Sequence, residues 1–278
     1  MSAASEFEDS PQGFAPDEGN AAIEPNSAPH RRDLVAGLEK GLMVIAAFDQ
    51  ERPRLTISEV AARTGLTRAA ARRYLLTLTY LGFVSQDRKM FALTPRVLRL
   101  GQSYLHSARL PRIIEPELLS MSHQLKEASV AAVLDEHEVI AIVSSNAGRI
   151  TSPLIQVGAR LPAHCSATGR VLLAALPDHE LERWLASRPL TALTPHTIVK
   201  REDVRQVVER VRAAGFATQD QEVELGLRSI AVPLLNHRGE VVAALNVCVQ
   251  ASRMSMEQLI DHGLPPLLQA QQHLRVLL

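Results

Sequence analysis

Two short helices around a single glycine turn, the second rich in arginine, are encoded in TISEVAARTGLTRAAARRYLLTLTY, residues 56–80. That order restricts the front of the chain to folds that present a cationic helix. Thr56, followed three residues later by Glu59, forms a capping box in which hydroxyl and carboxylate satisfy the free amides that open a helix. The helix is expected to begin near Ile57, with Ile57, Val60 and Ala61 as its apolar stripe. Gly65 is the residue best suited to the left-handed backbone that ends it. Thr67 then caps a second helix. Along it Ala71, Tyr74, Leu75, Leu78 and Leu81 recur at helical spacing and are expected to face a core, whereas Arg68, Arg72 and Arg73 fall outside that stripe. A guanidinium pairs with phosphate or reads guanine through O6 and N7, and the N-terminal half of a recognition helix lies deepest in a major groove. Thr67, Arg68, Arg72 and Arg73 are therefore candidate DNA contacts.

Residues 83–86 and 90–93 are short strand candidates joined by Asp87, Arg88 and Lys89, a hairpin with a basic tip. Arg88 and Lys89 at that tip suit phosphate contacts beside the groove, as in the wing of a winged helix-turn-helix. The plain alternative is a small helical domain whose arginines form a solvated face. Charge distribution bears on the choice. The 278-residue chain has Lys+Arg 30 and Asp+Glu 30, a balance of zero, but residues 31–112 hold fifteen basic and six acidic side chains. Residues 1–30 hold six acids and no Lys or Arg, and the remainder has a balance of −3. The positive field thus coincides with the arginine helix, where counterion release would supply salt-dependent affinity for double-stranded DNA.

The hydrophobic fraction of 46% suffices for two cored domains. Residues 1–32 form a tail whose Ser, Ala, Pro and acidic composition lacks periodicity and predicts disorder. No run approaches the roughly 18 apolar residues of a membrane span, and no basic-then-apolar leader opens the chain. These features predict a cytoplasmic protein without a membrane partner. Cys165 and Cys248 suit a reducing compartment rather than a disulfide framework. The ten histidines show no ligand spacing, so neither a metal nor a cofactor is expected.

Residues 33–94 are read as the DNA-binding domain and 95–110 as a linker helix, with Thr94 as cap, Pro95 at its first position and an end near His106. Val97, Leu98, Leu100, Tyr104 and Leu105 offer more apolar surface than one neighbour buries, which is compatible with a dimer contact that would set two recognition helices on paired half-sites. Residues 111–278 form an α+β unit, an antiparallel sheet with packed helices. Residues 129–134, 139–144 and 149–157 read as strands and 167–176 as a short helix. Residues 203–214 form an amphipathic helix with Val204, Val207, Val208 and Val211 on one side. Residues 227–235 and 240–249 make a hairpin about NHRG. With an even loop and no bulge, Ser229 would face Asn246 and Leu227 would face Cys248. Small polar residues on one face of otherwise aliphatic strands mean either a satisfied core hydrogen bond or the floor of a polar cavity.

A second wall comes from RLPAHCSATGRVLLAAL, residues 160–176, where His164, Cys165 and Ser166 precede a helix whose first amides attract a carboxylate or phosphate. A small carboxylate between this helix start and the Ser229/Asn246 face is the physical hypothesis, with Arg149 either its counter-charge or a surface residue. A rival class is a hydrolase using Cys165 with His164 as base, although adjacent residues seldom point usefully at each other and no third orienting group is evident. A DNA binder without any effector is a third reading.

The strings ISEVAARTGLTRAAARRYLLTLTYLGFV, LPAHCSATGRVLLAALP and DQEVELGLRSIAVPLLNHRGEVVAALNV resemble the IclR (isocitrate lyase regulator) family of bacterial transcription factors, from about Leu34 onward. GLTRAAARRYLLTL, LTPRVLRLG and GLRSIAVP further resemble its subgroup that regulates aromatic-acid catabolism through protocatechuate, 4-hydroxybenzoate and the β-ketoadipate pathway. The resemblance implies a winged helix-turn-helix, a linker helix and a GAF-like effector domain, in homodimers or homotetramers, with no catalytic residue. The family's ligand positions carry over onto Leu161, Ser166, Ala167, Gln219, Asp220, Ser229, Asn246 and Cys248. Where some relatives place an acid, a cysteine or a serine, this chain has Gln219, Ser229, Asn246 and Cys248, so its effector chemistry need not be theirs.

Overall fold

The structure, a computed structural model, describes residues 31–49, 51–146 and 152–278. Residues 1–30 of the tail expected over 1–32, and the candidate Arg149, lie outside the described residues. The chain divides after Val97 into two compact units.

In the first unit a 3-10 turn at Arg31–Asp33 leads to α1 (Ala36–Ala46), then β1 (Arg54–Leu55), α2 (Ile57–Thr64), α3 (Arg68–Tyr80), β2 (Val84–Asp87), β3 (Met90–Leu93) and a 3-10 turn at Pro95–Val97. The capping box forms as expected. The Glu59 amide donates to Thr56 Oγ1 at 3.3 Å, and the Thr56 amide donates to Glu59 Oε2 at 2.7 Å. Gly65 ends α2 at φ 67, and Thr67 Oγ1 accepts from the Ala70 amide at 3.2 Å to start α3. The strands form a small antiparallel sheet in the order β1-β3-β2. Val44, Leu55, Val60, Leu75 and Phe91 close the core. Leu81 departs from expectation and is exposed, at the C-cap that follows the last helical residue, Tyr80.

The second unit runs α4 (Leu98–Ser107), α5 (Arg109–Leu125), β4 (Ala128–Asp135), β5 (Glu138–Ser145), a 3-10 turn at Pro153–Ile155, β6 (Arg160–Pro162), α6 (Ala167–Ala174), α7 (Asp178–Ser187), α8 (Arg201–Ala214), β7 (Ala217–Asp220), β8 (Leu227–Leu235), β9 (Val241–Gln250) and α9 (Met256–Leu277). The helix expected from Pro95 therefore opens with a 3-10 turn before α4. The strand expected over 149–157 is corrected as well. Its described part contains a 3-10 turn capped by Ser152 Oγ, which accepts from the Leu154 amide.

The six strands form an antiparallel sheet in the order β6-β5-β4-β9-β8-β7. Alternation sorts its side chains onto two helical layers. Ile230, Val232, Leu234, Leu245 and Val247 pack against Ile114 and Leu118 of α5 and Leu259 and Leu267 of α9. Ala132, Ala231 and Ala244 on the opposite face meet Val171 and Leu172 of α6 and Val204 and Val208 of α8. The β8/β9 register differs from the expected one by two residues: Ser229 faces Cys248 and Ala231 faces Asn246, with a bulge at Leu234/Leu235. Asn236 explains the longer loop, since its Oδ1 accepts from the amides of Arg238 and Glu240. A shift of two preserves the face, so Ser229, Asn246 and Cys248 still lie together. No helix among the described residues is long and apolar enough to cross a membrane.

Candidate functional site

The first unit leaves the cations of α3 without an acid partner among the described residues. Arg68, Arg72 and Arg73 are exposed on α3, and among the described residues none of them has an ion-pair partner, in contrast to Arg63, which is paired with Asp49. The apolar positions Ala71, Leu75 and Leu78 are buried beneath them, so packing holds the helix while its arginines remain open to an anion. Thr67 is exposed, although its hydroxyl is already engaged as the cap. Arg88 and Lys89 form the exposed two-residue tip between Asp87 and Met90. Arg88 has φ 53, a left-handed conformation that glycine or asparagine would adopt at lower cost. A basic side chain thus occupies a position where local backbone preference favours another residue.

In the second unit a cavity opens on the sheet face that carries Ser229, Asn246 and Cys248, where β4, β5, β8 and β9 meet the start of α6. Small residues bring that helix close. A Cβ on Gly169 would lie 2.2 Å from the Ala163 carbonyl oxygen, so the contact between α6 and the preceding strand is possible only for glycine. Ser166 Oγ caps the helix by accepting from the Gly169 amide at 3.1 Å. Ala167 and Thr168, the first two helical residues, line the cavity, and amides in a first turn have no partner within their own helix. Val130, Ala141, Ile155 and Leu161 supply hydrocarbon walls. The polar floor is Ser229, Asn246 and Cys248, with Asn246 Nδ2 donating to Cys248 Sγ at 3.2 Å. The cavity volume is about 30 Å³, room for a water molecule or two.

Of the sequence-derived candidates, Leu161, Ser166, Ala167, Gln219, Ser229, Asn246 and Cys248 converge on this cavity. Two do not. Asp220 projects from the other side of β7, where Arg228 Nε donates to its Oδ1 at 2.7 Å and holds its carboxyl below the usual carboxylate range. The period-two alternation that buries Gln219 necessarily turns Asp220 outward. The His164 ring bonds the Thr191 carbonyl through Nε2 at 3.2 Å, and burial lowers its pKa. Cys165 Sγ donates to the Pro162 carbonyl at 3.6 Å, so these neighbours do not make a nucleophile and base. Burial pushes the Cys165 and Cys248 thiols up to about 12, and neither supplies a thiolate near neutral pH.

The sequence reading missed the frame behind the wall. Arg170 on α6 and Glu222 after β7 form an ion pair at 2.7 Å, with side chains 3% and 8% exposed. Arg170 also donates to the carbonyls of His164 and Thr218 at 3.0 Å each. Glu222 Oε2 accepts from the Ile198 amide, and its own amide donates to Gln219 Oε1. Gln219 Nε2 donates to the Leu227 carbonyl. The side chain of Gln219 is therefore held in the wall by two bonds. The only sequence signal was an arginine in an otherwise apolar helix, and a single sequence does not show that Glu222 meets it.

An arginine-bearing helix on a winged scaffold, with a separate α/β unit enclosing a small cavity, defines the class of ligand-responsive DNA-binding regulators. Known proteins give the family. Residues 37–88 match the IclR helix-turn-helix domain, and residues 102–275 match the bacterial transcriptional regulator IclR C-terminal domain. The chain belongs to the IclR family of transcriptional regulators, which are not enzymes. It is 40% identical over 250 residues to the Pca operon regulatory protein of Acinetobacter baylyi, spanning 88% of this chain and 90% of that one. It is 41% identical to the p-hydroxybenzoate hydroxylase transcriptional activator of the same organism, spanning 87% and 92%. The inducer-binding domain of a double mutant of PobR from Acinetobacter, solved with 3-hydroxybenzoic acid, is 35% identical with a TM-score of 0.59, and the match covers 62% of this chain and all of that domain.

Proposed function

We propose that this regulator controls genes of aromatic-acid catabolism in the protocatechuate and 4-hydroxybenzoate branch, by binding a small aromatic carboxylate in the cavity of its second unit. The single observation that carries the reading is the composition of the cavity: a helix start, a Ser/Asn/Cys floor, and walls of hydrocarbon interrupted by Gln219, in a chain 40% identical to a Pca operon regulator. No charged residue lines it, so helix-start amides would balance the carboxylate. At about 30 Å³ the cavity is smaller than an aromatic acid, and binding requires its walls to separate. That movement is the physical source of a signal.

Residues 33–94 would read DNA in the cytoplasm, 95–110 would link, and 111–278 would sense. Thr67, Arg68, Arg72, Arg73, Arg88 and Lys89 would contact an operator. Two copies would pair through exposed apolar residues such as Leu98, Leu100 and Tyr104 of α4, placing two recognition helices on half-sites. Thermal-shift measurements with 4-hydroxybenzoate and protocatechuate test the reading. A ligand at about 100 times its Kd stabilises by about 2.7 kcal/mol, a shift of several degrees. Absence of any shift with these acids, together with a shift for an unrelated metabolite, would replace the proposed effector.

A further inference from the structure

A second cavity, of about 380 Å³, opens between the β4/β5 turn, the end of β6 and the C-terminus of α7. Its walls carry the imidazoles of His137 and His164, the Trp184 indole and the Arg188 guanidinium, with hydrocarbon from Pro162 and Leu190. It shares no lining residue with the cavity over Ser229. Leu161, Ser166 and Ala167 border that cavity, whereas Pro162 and His164, from the same segment, border this one. A volume of about 380 Å³ lies within the range of small-molecule sites, so a ligand enters without any separation of the walls.

The aromatic side chains are held in place by the fold. Trp184 Nε1 donates to the Glu136 carbonyl at 2.7 Å, and the indole lies 5.1 Å from the His137 ring at an interplanar angle of 37°. His137 Nε2 bonds Ser187 Oγ at 3.0 Å, and His164, only 3% exposed, is fixed through Nε2 on the Thr191 carbonyl. Arg188 differs from all of these. It is exposed and has neither an ion pair nor a hydrogen bond among the described residues. Capping of α7 does not account for it, since the carbonyls of Trp184 and Ala186 accept from Ser187 Oγ and Arg201 Nη2 instead. Burial holds the pKa of both imidazoles down, and the Arg188 charge acts in the same direction, which leaves the guanidinium as the cation of the cavity at neutral pH. No acid among the described residues lines it. Of the acids that act on its imidazoles, Glu138 is paired with Arg160, Glu222 is paired with Arg170, and Glu136 is exposed.

We propose that this cavity is a second ligand site, for an anion that carries a planar ring, with the ring lying on Trp184 and the anionic group on the Arg188 guanidinium. An indole offers a broad apolar face to a stacked ring, and the arginine fork takes two oxygens of a carboxylate or phosphate at once. A ring without charge leaves the guanidinium unmet. An anion without a ring gains only an exposed ion pair, which is worth little by itself. The ligand class therefore needs both groups, and it includes aryl carboxylates and aryl phosphates.

Trp184 is the chain's only tryptophan, so its emission reads the site directly in the full chain. Benzoate and phenyl phosphate are the probes, with benzyl alcohol as the uncharged ring. At least one anion should change the emission saturably, with a Kd about tenfold or more below that of the alcohol, and Arg188→Gln should remove that preference. Whichever anion binds more tightly identifies the source as carboxylate or phosphate. Ser229→Ala, which alters the other cavity, should leave the titration unchanged. No saturable change with either anion, or an Arg188→Gln curve that matches the wild type, would overturn the proposal. So would a Ser229→Ala curve weakened as far as that of Arg188→Gln, because the emission would then be reporting on the Ser229 cavity.

Discussion

Arg72 is exposed on α3 and has no ion-pair partner among the described residues. Arg72→Ala should therefore weaken operator binding by roughly 1–3 kcal/mol if it reads a base, or reduce the salt slope by about one if it contacts phosphate, with the heat of effector binding unchanged. Ser229→Ala should do the reverse. Anisotropy on an operator duplex selected from genomic fragments, beside calorimetry, checks both. Gly169 is a second residue whose identity is forced. Gly169→Ala sets its Cβ 2.2 Å from the Ala163 oxygen and should cost about 3 kcal/mol or more in urea unfolding, whereas Gly101→Ala, in open space on α4, should stabilise by about 0.5–1 kcal/mol. The thiols give a pH prediction. Their folded pKa of about 12 lies above the ordinary 9.0, so the stability they contribute is complete below pH 9 and is lost as pH rises toward 12. Native thiols should resist alkylation at pH 8, and both should react in denaturant.

At the scale of elements, what was legible followed from local chemistry. The capping box, Gly65, Thr67 and the valine stripe of α8 each state their helix within a few neighbouring residues. The sequence reading assigned no helix to α5 or α9, both of which hold proline within a helix, Pro116 in α5 and Pro265 and Pro266 in α9, where proline is ordinarily disfavoured. Pro111 falls in the first turn of α5, where its missing N–H costs nothing, and a long apolar face carries the helix past Pro116. The hairpin register failed within the turn itself, through a bulge at Leu234/Leu235 beside a loop that Asn236 organises, while the two-residue face survived. The Arg170–Glu222 pair joins α6 to the segment after β7, and its energetics are testable as a unit. Removing one partner leaves a buried charge, so Arg170→Met should cost roughly 3–5 kcal/mol, and Arg170→Met/Glu222→Leu should cost less than Arg170→Met alone. Chemical denaturation of the wild type, Arg170→Met, Glu222→Leu and the double mutant gives the comparison. A double mutant as unstable as the sum of the singles would show that the pair has no coupling.

Across the whole molecule, charge and cavity chemistry divide the labour. Of the fifteen basic side chains over residues 31–112, twelve lie in the first unit, and the cavity over Ser229, Asn246 and Cys248 in the sheet unit is lined without a charged residue. The sequence made both halves legible because one depends on exposed cations and the other on strand alternation. It did not show that Asp220 and His164 turn away, since that depends on partners, Arg228 and the Thr191 carbonyl, distant in the chain. The central claim is that acid in the second unit alters DNA affinity in the first. Operator Kd, measured by anisotropy at fixed salt with and without saturating 4-hydroxybenzoate, tests it most directly. A coupling of about 1–3 kcal/mol, a change of roughly 5–150-fold in either direction, is the predicted result; an unchanged operator Kd in a protein that demonstrably holds the acid would contradict it.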